Sequence, residues 1–110
     1  MTEYSKIRVE EFLDGQALRV VLNAPKANVL DGPMMDEINA LIDACKERPE
    51  LKLIYFKGEG KHFSFGASVP DHVKEKAPAM LGALHGMFLR MAELCIPTAA
   101  AVSGQCLGAG

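Results

Sequence analysis

The segment LKLIYFKG, residues 51–58, most constrains the fold, because it is a short apolar run bounded by Pro49 and Gly58. Such a run suits a strand covered on both faces, as strands of parallel sheets are. Just before it, Met35, Ile38, Leu41, Ile42 and Cys45 recur at steps of three and four, which predicts a helix with one apolar face. Asp31 is placed to cap that helix, Pro33 to open it and Pro49 to end it, so the helix is expected to run through about Arg48. Earlier still, residues 6–13 and 17–23 are rich in β-branched and apolar side chains and are separated by Asp14-Gly15, a hairpin signal. Hairpin, helix and covered strand together give an α/β chain built around a β-α-β unit.

Between the hairpin and the helix lies APKANVLDG, with Pro25, Asn28 and Gly32 close together, which predicts an irregular loop able to serve in binding. Downstream, Pro70 and Pro78 bracket the charged segment DHVKEKA. A second helix is expected from Ala79 to about Leu94, burying Met80, Leu84, Met87, Met91 and one of Phe88 and Leu89, with Pro97 marking its end. TAAAVSG, residues 98–104, then reads as a strand of small and β-branched residues. QCLGAG, residues 105–110, reads as a turn preparing a further helix, since Gly104, Gly108 and Gly110 fall within seven residues. The expectation is therefore the N-terminal part, residues 1–110, of a single longer domain.

Composition narrows the function classes. The 110 residues are 49% apolar and 24% charged, as in a globular protein. Twelve Lys and Arg against fourteen Asp and Glu leave a net charge of −2, which creates no general field for nucleic acid or an anionic membrane. The N-terminus lacks the apolar core of a signal peptide, and no apolar run approaches a membrane span. Cys45, Cys95 and Cys106 fit neither a metal clip nor a closed disulfide set, so three buried free thiols and a cytoplasmic setting are expected.

Several motifs fail on spacing. GEGKHF resembles part of a phosphate-binding P-loop, but Tyr55 stands where that loop needs Gly and His62 where it needs Ser or Thr. GQCLGAG does not have the glycine spacing of a dinucleotide-binding turn. His62, His72 and His85 have no neighbouring ligands at metal spacing, which favours a surface or hydrogen-bonded structural role and no metal. Ser64, Ser68 and Ser103 lie in no GxSxG elbow.

What remains is a pair of strand-to-turn junctions made of small residues, Phe65-Gly66-Ala67-Ser68 and Leu107-Gly108-Ala109-Gly110. Small residues let a backbone approach a ligand closely, and N–H groups at a turn or helix start point outward. Two such groups aimed at one point form an oxyanion hole. The same residues also suit two tight packing turns, and chemistry alone favours neither reading.

Three segments in register decide the resemblance. PKANVLD resembles the coenzyme A loop of the crotonase, or enoyl-CoA hydratase/isomerase, superfamily; GKHFSFGASV resembles its strand-to-oxyanion turn; and IPTAAAVSGQCLGAG resembles its segment that starts at Ile-Pro and ends in three glycines. The resemblance covers essentially the whole chain and implies the N-terminal half of a crotonase spiral of β-β-α units, with the hairpin and the strands 51–57 and 98–103 in one sheet. It implies oxyanion-hole N–H groups on Ala67 and Ala109, which would stabilise negative charge on the carbonyl oxygen of an acyl-CoA thioester. Ala is acceptable at 109, the middle of the family's three glycines, provided its φ is negative. Lys26 and Lys61 fall where the family places cations near the CoA phosphates, and the backbone of Ala27 and Asn28 where adenine and pantetheine pass. Each lysine reads equally well as a solvated surface charge. Phe65, Gly66, Ser68 and Gly108 complete the implied substrate-binding set. Coenzyme A is part of the substrate, and no separate cofactor is implied.

Ser68 replaces the family's usual Asp, and Phe65 a small residue, so the acyl pocket is expected to differ from that of a straight-chain enoyl-CoA hydratase. FSFGASV is similar to the superfamily's cyclic dienoyl-CoA hydratases of anaerobic aromatic degradation. The implied activity is a lyase reaction adding water to an unsaturated, cyclic acyl-CoA. An isomerase, a ring-opening hydrolase, a thioesterase and a non-catalytic acyl-CoA-binding or assembly fragment remain alternatives. The family's acid/base carboxylates lie past Gly110, and Glu59, Glu75 and Glu93 read as solvated charges. Family members form trimers or hexamers, which the resemblance extends only to a full-length parent.

Overall fold

The computed structural model describes residues 4–67 and 77–110. Its elements run β1 (Ile7–Phe12), β2 (Ala17–Leu22), α1 (Gly32–Cys45), β3 (Leu53–Gly58), α2 (Ala77–Glu93) and β4 (Thr98–Ala101). The four strands form one sheet in the order β1-β2-β3-β4, with β1 antiparallel to β2 and β2, β3 and β4 mutually parallel. Ile7 faces Leu22, Val20 faces Phe56, and Phe56 faces Ala100 across the ladders. Each parallel pair is joined by a helix, as parallel connections require, and α1 and α2 pack against each other.

Local chemistry explains the element ends. The hairpin forms as expected, but its turn is a four-residue loop: Leu13, Asp14 and Gly15 all have positive φ, and the Gln16 N–H donates to the Leu13 carbonyl at 3.1 Å. The Asp31 side chain accepts from the Met34 N–H at 3.0 Å, capping α1 with Pro33 in its first turn. Such a cap stabilises a helix by about 1 kcal/mol. The helix ends at Cys45, earlier than Arg48, because Lys46, Glu47 and Arg48 bond in tighter turns to Asp43, Ala44 and Cys45. Met34, Met35, Ile38, Leu41, Ile42 and Cys45 are buried, and with Leu18, Val20, Leu22 and Ile54 they make the core.

Four expectations need correction. On α2, Met80 and Met87 are buried and Leu84 and Met91 half-buried, but Phe88 and Leu89 are exposed. The four inward residues already fill the narrow stripe that a 3.6-residue period allows, which leaves Phe88 on its shoulder and Leu89 opposite. Of the three free thiols only Cys45 is buried; Cys95 and Cys106 are exposed, in a helix-terminating turn and a bridging turn. β4 stops at Ala101, and all four of its residues are exposed. β3 is only partly covered, with Ile54 and Gly58 buried and its other residues half-buried.

Arg8, Glu10, Arg19 and Glu59 form an ion-paired network on the outer sheet face, where the Arg19 guanidinium lies 5.3 Å from the ring centroids of both Phe12 and Tyr55. No helix among the described residues is long and apolar enough to cross a membrane.

Candidate functional site

Because β2, β3 and β4 are parallel, the segments that follow them emerge at one end of the sheet. Open parallel sheets bind ligands outside the carboxyl ends of their strands. Here those segments are residues 23–31, 59–67 and 102–110, which hold every site residue named from the sequence except Ser68. Ser68 lies outside the described residues, as do His72 and Glu75.

The middle segment is held between the other two. On one side the Phe65 N–H donates to the Ala27 carbonyl and the Leu30 N–H to the Gly66 carbonyl, both at 2.8 Å. On the other, the Phe63 N–H donates to the Ser103 carbonyl at 2.8 Å and the Leu107 N–H to the Ser64 carbonyl at 3.0 Å. His62 adds a staple, its Nδ1 accepting from the Gln105 N–H at 3.0 Å while its ring meets Phe65 edge-on at 5.1 Å. The hydrogen-bonded structural role expected for this histidine is the one it has.

Asn28 and Ser64 anchor the arrangement, and both are fully buried. The Asn28 carboxamide oxygen accepts from the Ala24 N–H at 2.9 Å, and its nitrogen donates to the carbonyls of Glu59, His62 and Phe63 at 3.0–3.1 Å. Asn28 has φ 45°, a conformation Asn adopts more readily than most residues. The Ser64 hydroxyl donates to the Asn28 carbonyl at 2.8 Å and accepts from the Gly66 N–H at 3.0 Å. Sequence reading named Asn28 for its backbone and passed over Ser64. The φ-tolerance of Asn was the only available signal, since the carbonyls it gathers lie 31–35 residues away in the chain.

The two small-residue junctions are in contact. Gly66 has φ 92°, and a Cβ there would stand 2.6 Å from the Leu107 carbonyl oxygen and 3.2 Å from the Ala109 nitrogen. Both the positive φ and this close approach require glycine. Neither the Ala67 N–H nor the Ala109 N–H has a partner among the described residues, and both alanines are half-buried. Ala109 is not among the positive-φ residues, which meets the condition set for alanine there, whereas Gly108 has φ 52°. Two unpartnered donors on touching turns can receive an oxygen that carries developing negative charge.

Lys26 and Lys61 are exposed on the segments after β2 and β3, and neither has an ion-pair partner among the described residues. Phe65 is 40% exposed and turned onto His62. An apolar cavity of about 330 Å³ lies between β3, β4 and α2, reaching Ser64, Ala109 and Gly110 but neither Phe65 nor Ala67. Of the two alanines it is thus lined by Ala109 alone. A larger cavity of about 700 Å³ between β1 and the end of α1 shares no residue with either turn.

Residues 14–110 match the family model described as enoyl-CoA hydratase/isomerase. The chain belongs to the enoyl-CoA hydratase/isomerase family. Among curated relatives it is 39% identical, over 97 residues, to the cyclohexa-1,5-dienecarbonyl-CoA hydratase of Thauera aromatica, covering 88% of this chain and 38% of that protein. Among solved structures, an enoyl-CoA hydratase/isomerase from Xanthobacter autotrophicus Py2 superposes with a TM-score of 0.84 at 31% identity, over 97% of this chain and 42% of that one. Pseudomonas aeruginosa DspI shares the fold, with a TM-score of 0.88 at 24% identity over 100% of this chain and 43% of its own. This member of the enoyl-CoA hydratase/isomerase family thus has the fold of the N-terminal half of that spiral, and spans about two fifths of the length of these relatives.

Proposed function

We propose that the full-length protein carrying this chain is a lyase that hydrates an unsaturated acyl-CoA, and that its substrate is a cyclic dienoyl-CoA thioester. The observation that carries the reading is the contact between the Gly66-Ala67 and Leu107-Ala109 turns, each presenting an N–H without a partner among the described residues. In this reading water oxygen bonds to the electrophilic carbon of the conjugated system and the π electrons move onto the thioester oxygen. The N–H groups of Ala67 and Ala109 hold that oxygen as an oxyanion hole, stabilising the enolate more than the ground-state carbonyl. The attacking water gives up one of its protons and a proton is delivered to carbon as the enolate collapses, so that OH and H are added across the conjugated system and the thioester is restored. Lys26 and Lys61 meet the CoA phosphates, and Ala27, Asn28, Phe65, Gly66, Ser68 and Gly108 line the path of the thiol arm and acyl group.

The cyclic substrate is favoured by the 39% identity to the Thauera aromatica hydratase. The acid/base groups are assigned to no residue of this chain: Glu59 pairs with Arg8 at 3.0 Å and Asp31 caps α1. The test is an assay of the full-length protein with cyclohexa-1,5-diene-1-carbonyl-CoA and crotonyl-CoA, following loss of the conjugated chromophore. Preference for the cyclic thioester is expected. Preference for crotonyl-CoA removes the cyclic assignment, and turnover of neither removes hydration.

A further inference from the structure

We propose that Ser64 is a positioning residue that leaves Ala67 as the one outward-facing donor among the described residues of its turn; the inference rests on the reading that the Ala67 N–H receives a thioester oxygen. The described part of the turn carries three successive N–H groups, on Phe65, Gly66 and Ala67. The first is taken by the Ala27 carbonyl at 2.8 Å and the second by the Ser64 hydroxyl at 3.0 Å. The third has no partner among the described residues. The hydroxyl is itself oriented, because it donates its proton to the Asn28 carbonyl at 2.8 Å and so turns a lone pair toward Gly66.

The same residue bears on the second donor. The Ser64 carbonyl accepts from the Leu107 N–H at 3.0 Å, and a Cβ on Gly110 would stand 2.7 Å from that carbonyl oxygen. One buried residue thus joins the loop after β2, the turn of Ala67 and the turn of Ala109. Without the hydroxyl, the buried Gly66 N–H has to find another acceptor by rotating its peptide plane. That plane is one residue from the Ala67 N–H, so the donor swings away from the oxygen it serves. A donor that is misaimed rather than deleted loses less than the 10²–10³ in rate of a lost oxyanion-hole contact.

The test is Ser64→Ala in the full-length protein, assayed with the thioester that the unsubstituted protein turns over. The expected result is a fall in kcat of about 10- to 100-fold with KM within about threefold, because the contact is strengthened only in the transition state. In the unsubstituted protein, amide exchange followed by NMR should show Gly66 protected and Ala67 exchanging fast, a measurement that stands if the variant does not fold. Unchanged kcat, a rise in KM alone, or a Gly66 amide exchanging as fast as that of Ala67 overturns the inference while leaving hydration intact. If the unsubstituted protein turns over no thioester, the functional reading fails first and the positioning role falls with it.

Discussion

The missing Cβ of Gly66 is what lets its backbone pass the Leu107 carbonyl: a methyl group there would sit 2.6 Å from that oxygen. Real side chains do not tolerate that distance from a backbone atom, and φ 92° is strained for alanine in any case. Gly66→Ala is therefore expected to part the two turns, lowering kcat of the full-length protein about 100-fold and stability by about 1–3 kcal/mol. Steady-state kinetics with urea denaturation reads both. An alanine variant within twofold of the parent in kcat shows that the turns need not touch for catalysis.

Asn28 is expected to matter for stability ahead of chemistry. Its carboxamide bonds to four backbone groups from two segments, the Phe63 carbonyl in a fully buried bond and the others in part-buried ones, and a buried group left unsatisfied costs about 1–3 kcal/mol. Asn28→Ala should cost about 3 kcal/mol or more by urea denaturation. Asn28→Asp should cost more still, since a second carboxylate oxygen would face the carbonyls of Glu59, His62 and Phe63. An aspartate variant as stable as the parent contradicts this assignment of the amide donors.

These two positions show how far the sequence could be read. The period of α1, the Asp31 cap, the hairpin and the parallel strands were legible because each rests on neighbours within a few residues. The fold and both small-residue junctions followed, helped by motifs that a family resemblance put in register. The roles of Asn28 and Ser64 were not legible, because their partners are backbone carbonyls and amides, which carry no side-chain code. Cys95 and Cys106 were misjudged since cysteine commonly packs as a small apolar residue, whereas here both sit in turns at the surface.

Glu37 ties α1 to the start of β1 and gives a pH signature. Burial pushes its carboxyl up, but hydrogen bonds from the N–H groups of Lys6 and Ile7 and from Ser5 outweigh it, so the group titrates below its ordinary 4.5. A depressed folded-state pKa stabilises the protein above the unfolded value and loses that contribution as pH falls through the folded value. Glu37→Gln should therefore be less stable than the parent at pH 7, with the difference shrinking as pH falls below 4.5. Thermal melts across that range check the sign. A difference that grows toward acid pH is incompatible with a carboxylate held by these donors.

The oxyanion reading can be tested at one atom, since the groups it invokes are backbone N–H groups which side-chain substitution leaves in place. Replacing Ala109 with lactic acid, by semisynthesis or suppressor tRNA, exchanges that N–H for an ester oxygen and keeps the methyl group. Leu107 and Gly110 bond to partners inside the turns, so the ester removes no hydrogen bond found among the described residues. The full-length protein should then keep its stability and its affinity for coenzyme A while kcat falls about 10²–10³-fold, the cost of one lost oxyanion donor. The same exchange at Ala67 should act alike, and the two together should exceed either alone. If the Ala109 ester leaves kcat intact, the second turn serves packing only, and the thioester oxygen must be held elsewhere.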